Sequence, residues 1–87
     1  MKTLLTLLAV GALSLSAHAG QDLAVADLPK EIVTSIEKLY PGAKLIKAEK
    51  ELKKTGVVYE VKIEHDKKFR ELNLSEDGTV LKDKIDY

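Results

Sequence analysis

The sequence predicts an α+β domain in two layers, one N-terminal helix packed on a four-stranded antiparallel meander sheet. Three observations carry that reading. From Tyr59 to Glu64 apolar and charged residues alternate strictly, the period of a half-buried strand. Between Leu28 and Tyr40 the apolar residues recur instead at helical spacing. After the helix, turn signals arrive at short intervals, the rhythm of a meander rather than of crossovers.

The chain of 87 residues opens with Met1-Lys2, an apolar run from Leu4 to Leu15, and Ala17-His18-Ala19. A short positive start, an apolar stretch too brief to span a bilayer and small residues at a cut are the parts of a secretory signal peptide. Residues 1–19 are therefore expected to be removed after Ala19, placing the product in the periplasm or the medium with no membrane insertion. Residues 20–27 form a flexible leader or a short edge strand, with Leu23 and Val25 alternating among small or polar residues. Residues 28–87 are the domain proper.

In the helix, Asp27 stands where an N-cap or first-turn acid is wanted, and Pro29 suits only the first turn. Leu28, Ile32, Ile36, Leu39 and Tyr40 make the apolar stripe, widened by Val33. Pro41-Gly42 ends it, because proline disfavours helical geometry in the residue before it. The first strand is Lys44 to Leu52, with Ile46, Ala48 and Leu52 inward, and it is expected to fray or bulge at Lys50, where the alternation breaks. Lys53 to Gly56 turns the chain into the central strand, and His65 to Lys68 turns it out again. Phe69 to Leu74 is the third strand. Ser75-Glu76-Asp77-Gly78 is a strong turn signal before a fourth strand, Thr79 to Ile85. Adjacent Val80 and Leu81 leave the facing of that strand open.

Composition narrows the chemistry. Basic and acidic residues number 14 each, so losing Lys2 with the leader leaves one acid in excess. A near-neutral surface gives no electrostatic reason to bind nucleic acid. With no cysteine, an exported domain this small must fold without disulfides. Catalysis is not expected: after the leader, His65 is the single histidine, and the meander sets it at the opposite end of the sheet from Ser75. Glu64, His65 and Asp66 bring three metal-ligand types together, but consecutive strand residues point to opposite faces and cannot converge. They are weak metal candidates, and no cofactor is expected.

One helix covers one face of the sheet. By alternation the open face carries Val58, Glu60, Lys62, Phe69, Glu71 and Asn73, while Leu72 and Leu74 turn inward with Tyr59. Phe69, the only phenylalanine, then faces water among charged neighbours, the usual setting of an interface anchor.

The motifs Asp27-Leu28-Pro29, Tyr40-Pro41-Gly42-Ala43, Tyr59-Glu60-Val61 and Asp77-Gly78-Thr79-Val80-Leu81, in this order, resemble the PepSY-like family. Its members are small exported bacterial domains similar to one repeat of the β-lactamase inhibitor protein fold. The resemblance covers roughly Leu23 to Ile85. It implies a helix on a four-stranded sheet, no enzymatic activity, and a role in inhibiting or regulating peptidases. The β-lactamase inhibitor has two such repeats and this chain one, so no inhibitory contact residue carries over. The expected function is a non-catalytic binding module of the cell envelope whose partner is an envelope protein such as a peptidase. The alternative is a periplasmic small-molecule or metal-ion binding protein, and homodimer formation stays open.

Overall fold

The computed structural model describes residues 20–86, so the expected signal peptide lies outside the described residues. The elements run β1 (Gln21–Leu23), a 3₁₀ turn (Val25–Asp27), α1 (Lys30–Leu39), β2 (Lys44–Lys53), β3 (Gly56–His65), β4 (Lys68–Ser75) and β5 (Val80–Ile85). The strands form one antiparallel sheet in the order β1-β2-β3-β4-β5.

This corrects the four-stranded expectation. Among the described residues the sheet has five strands, and the helix follows the first of them rather than preceding the sheet. The additional strand comes from residues 20–27, where Leu23 pairs opposite Ala48 and, with Val25, packs against the core. Partly burying these two apolar side chains offsets part of the entropy of ordering that short segment.

Helix α1 also starts later than its apolar pattern suggests. Pro29 constrains the residue before it, and Leu28 is extended at φ −65°, ψ 142°. Pro29 takes the N-cap position, and its carbonyl accepts from the Ile32 and Val33 amides. Asp27 closes the 3₁₀ turn and caps nothing. The helix stops as expected before Pro41, and Gly42 takes φ +78°. Of the stripe, Leu28, Ile32 and Ile36 are buried, whereas Val33 and Leu39 are exposed.

The core lies between α1 and one sheet face. Ile32 and Ile36 meet Ala48 of β2, Tyr59, Val61 and Ile63 of β3, and Leu72 and Leu74 of β4. Two bulges tune which side chains reach it. In β2 the register slips between Leu45 and Lys47, so Leu45 and Ala48 both face the helix although three residues apart. Ile46, expected inward, is the extra residue and is exposed; Leu52, at the far end, is 78% exposed. Lys50 sits in regular register opposite Tyr59, so no bulge lies there. In β5 the slip falls between the partners of Asn73 and Leu74, turning Val80 onto the core and Leu81 out to solvent.

The tip of the β4–β5 hairpin docks on the helix. The Ser35 hydroxyl donates to the Gly78 carbonyl at 2.6 Å, and Gly78 is buried at φ +92°. A Cβ at Gly78 would stand 2.8 Å from the Glu31 carbonyl oxygen. Only glycine satisfies both the conformation and the approach.

Candidate functional site: the open sheet face

The strand registers define the uncovered face. Glu60 lies opposite Glu49 on one side and Asn73 on the other; Lys62 lies between Lys47 and Glu71; Glu64 lies opposite Phe69. Lys82 and Lys84 continue the rows beyond Asn73 and Glu71. The sequence placed Glu60, Lys62, Phe69, Glu71 and Asn73 on this face, and all five share it in the sheet. Val58 belongs to it by register, opposite Glu51 and Ser75, but it is only 5% exposed. Its own neighbours cover it, so it offers no contact area to a partner.

Phe69 is 42% exposed. The Lys62 ammonium stands 5.6 Å from its ring centroid and pairs with Asp86 at 3.0 Å. The Asp86 amide donates to the Phe69 carbonyl, which fixes Asp86 alongside β4. Phe69, Ile85, Asp86, Lys67 and Lys68 line a shallow depression of about 480 Å³. The arrangement is an aromatic ring with one cation beside it and apolar area still open, suited to contact rather than to bond-making.

A second depression, of about 110 Å³, is polar and lined by Lys47, Glu49, Glu60, Lys62 and Glu71. Partial burial raises the Glu60 carboxyl above its ordinary range, and repulsion from Glu71, Glu49 and Glu51 adds to the effect. Like charges directly opposite, as Glu49 and Glu60 are, oppose sheet pairing. This acidic centre has Lys47 and Lys62 at its edge, and Lys47 pairs with Glu49 at 3.7 Å.

The weak metal candidates do not converge. Glu64 lies on the open face, and Asp66 occupies the β3–β4 turn with positive φ. His65 turns to the helix side, its ring centroid 5.3 Å from that of Tyr40. Among the described residues, no group of three or more His, Asp or Glu side chains is placed to hold a metal ion. His65 pairs opposite Lys68 and Ser75 opposite Val58, at opposite ends of the sheet. Ser75 instead donates to Asp77 within its own turn at 2.5 Å.

One cluster escaped the sequence reading. On the helix side, Arg70 donates to Asp83 at 2.8 Å, and its guanidinium stacks 4.9 Å from the Tyr40 ring centroid. The Tyr40 hydroxyl donates to the other Asp83 oxygen, which raises the phenol above its ordinary value. The cluster ties the C-terminal end of α1 to β4 and β5. Its signal was present: the alternation that turns Leu72 and Leu74 inward places Arg70 on the same face.

In comparisons with family models, curated proteins and solved structures, the chain matches none.

Proposed function

We propose that the chain is a small exported, non-catalytic binding module of the bacterial cell envelope that holds a protein partner against its open sheet face. A peptidase, inhibited or regulated, is the partner class to which the PepSY-like resemblance points. One observation carries the reading: Phe69 stays 42% exposed among the charged and polar side chains of Glu60, Lys62, Glu71 and Asn73, on a face whose other apolar residue by register, Val58, is buried. A large apolar ring left in water is a cost to the free domain, and covering it on binding recovers that cost. Glu60, Lys62, Glu71 and Asn73 form the polar surround. Such residues exclude water and set register more than they add affinity.

The test needs two measurements on one variant. Phe69→Ala should leave the melting temperature almost unchanged. It should weaken the hold on the envelope protein that the wild type retains by roughly thirtyfold or more, the effect of truncating an anchor worth about 2 kcal/mol. A large fall in stability would make Phe69 a folding residue and end the proposal. A melting temperature raised by divalent metal or a small metabolite would favour the ligand-binding alternative, since a ligand for the folded state alone must stabilise it.

A further inference from the structure

We infer that the outer edge of β5 is a second, separate docking element, which takes an extended acidic segment of a partner protein as an added strand. The sheet ends in β1 on one side and β5 on the other. Strand β1 has three residues, whereas β5 has six, and among the described residues nothing pairs with its outer edge. In an antiparallel ladder the backbone groups of an edge strand alternate between its partner and open space. Part of the β5 backbone is therefore free to bond another chain, and Leu81, Lys82, Asp83 and Lys84 are all exposed along it.

Side-chain parity specifies the occupant. Lys82 lies opposite Asn73 and Lys84 opposite Glu71, so both ammonium groups flank the edge on the open face. Neither belongs to any of the four ion pairs among the described residues. Asp83 lies on the other flank and is already engaged by Arg70 and Tyr40. An incoming strand thus meets two unpaired positive charges two residues apart on one flank and a neutralised position on the other. A segment with acidic residues at alternate positions and apolar residues between them complements that pattern, with the backbone supplying affinity and the side chains specificity.

The same parity argues against a second copy. Antiparallel self-pairing that keeps the two faces matched must centre on one residue, and the centres that pair most of β5 lie at its middle. Centring on Lys82 or Lys84 sets a lysine against its own copy. Centring on Asp83 sets Lys82 against Lys84. Like charges directly opposite destabilise a sheet pair. Lysines on an edge commonly guard against self-association, and here that guard leaves an acidic strand as the permitted partner.

The test uses the full chain and a synthetic peptide of alternating valine and glutamate, beside its valine–lysine counterpart. Amide hydrogen exchange read by NMR should show slowed exchange in β5 with the acidic peptide alone, weakening as salt is raised. Replacing both lysines (Lys82→Glu with Lys84→Glu) should weaken the acidic peptide at least about tenfold and admit the basic one. Unchanged protection of β3 amides confirms that the variant is folded. Equal binding of both peptides, protection confined to the open face or to β1, or no protection at millimolar peptide would overturn the inference. So would β5 protection that rises with protein concentration alone, the mark of a second copy. The Phe69→Ala variant should bind the acidic peptide normally, which separates failure here from failure of the open-face proposal.

Discussion

Replacing Gly78 by alanine tests how the sheet is fixed to the helix. Two costs arise at this position. A side chain at φ +92° is strained by about 1–2 kcal/mol. The new Cβ would also stand 2.8 Å from the Glu31 carbonyl oxygen and 3.4 Å from the Ser35 Cβ. Helix and hairpin must then separate, at about 1–3 kcal/mol for overpacking, and the Ser35–Gly78 hydrogen bond is put at risk. Alanine also narrows the unfolded ensemble, which returns about 0.4–1 kcal/mol. The net cost should be about 2–4 kcal/mol, a large part of the roughly 3–10 kcal/mol expected for a domain of this size.

Gly42 supplies the control. It has φ +78°, and a Cβ there would meet nothing within 4 Å. Gly42→Ala therefore carries the strain and the unfolded-state term without the collision, and should cost about 1 kcal/mol or less. Urea titrations of both variants, followed by circular dichroism, give the difference as a shift in midpoint at constant slope. Gly78→Ala should exceed Gly42→Ala by about 1–3 kcal/mol. If the two variants fall within about 0.5 kcal/mol of each other, the hairpin does not seat on the helix as described.

Two further outcomes are expected. Because burial and carboxylate neighbours raise Glu60 above its unfolded value of 4.5, the native state binds the extra proton and stability falls as pH rises through that window. Glu60→Gln should then be more stable than wild type at neutral pH, with the gap closing as pH falls toward 4.5; a pH-independent gap would refute the carboxylate-repulsion account. In the cell, the protein released by osmotic shock should begin at Gly20, and an intact Met1 in the cytosolic fraction would overturn the export reading.

The β3 core residues were legible because alternation runs unbroken from Tyr59 to Glu64, and Val61 and Ile63 are completely buried. Register then carried the reading across to β4, so the faces of Phe69, Glu71 and Asn73 followed from that of Tyr59. For residues 20–27 the sequence offered a short edge strand beside a flexible leader without deciding between them. Three residues hold too few alternations to be a pattern, and what orders Gln21–Leu23 is a tertiary contact, Leu23 beside Ala48. Alternation places Arg70 on the helix side, but its partners Tyr40 and Asp83 lie 43 residues apart in sequence, so the cluster itself follows only from the fold.

The bulges show where alternation stops being a guide. Both fall at adjacent apolar residues, Leu45-Ile46 and Val80-Leu81, where a half-buried strand has one apolar side chain more than its inner face can accept. The strand resolves the excess by inserting one residue: Leu45 and Val80 pack on the core, and Ile46 and Leu81 are turned out. The third such pair, Val57-Val58, has no bulge. It lies in the central strand, where neighbours on both sides leave Val58 5% exposed on the uncovered face. A strand near the middle of the sheet buries its excess apolar side chain under adjacent strands, and a strand nearer the edge cannot. The exposed Leu81 on the outermost strand is the outcome of that difference, and it places apolar surface on the same edge as Lys82 and Lys84.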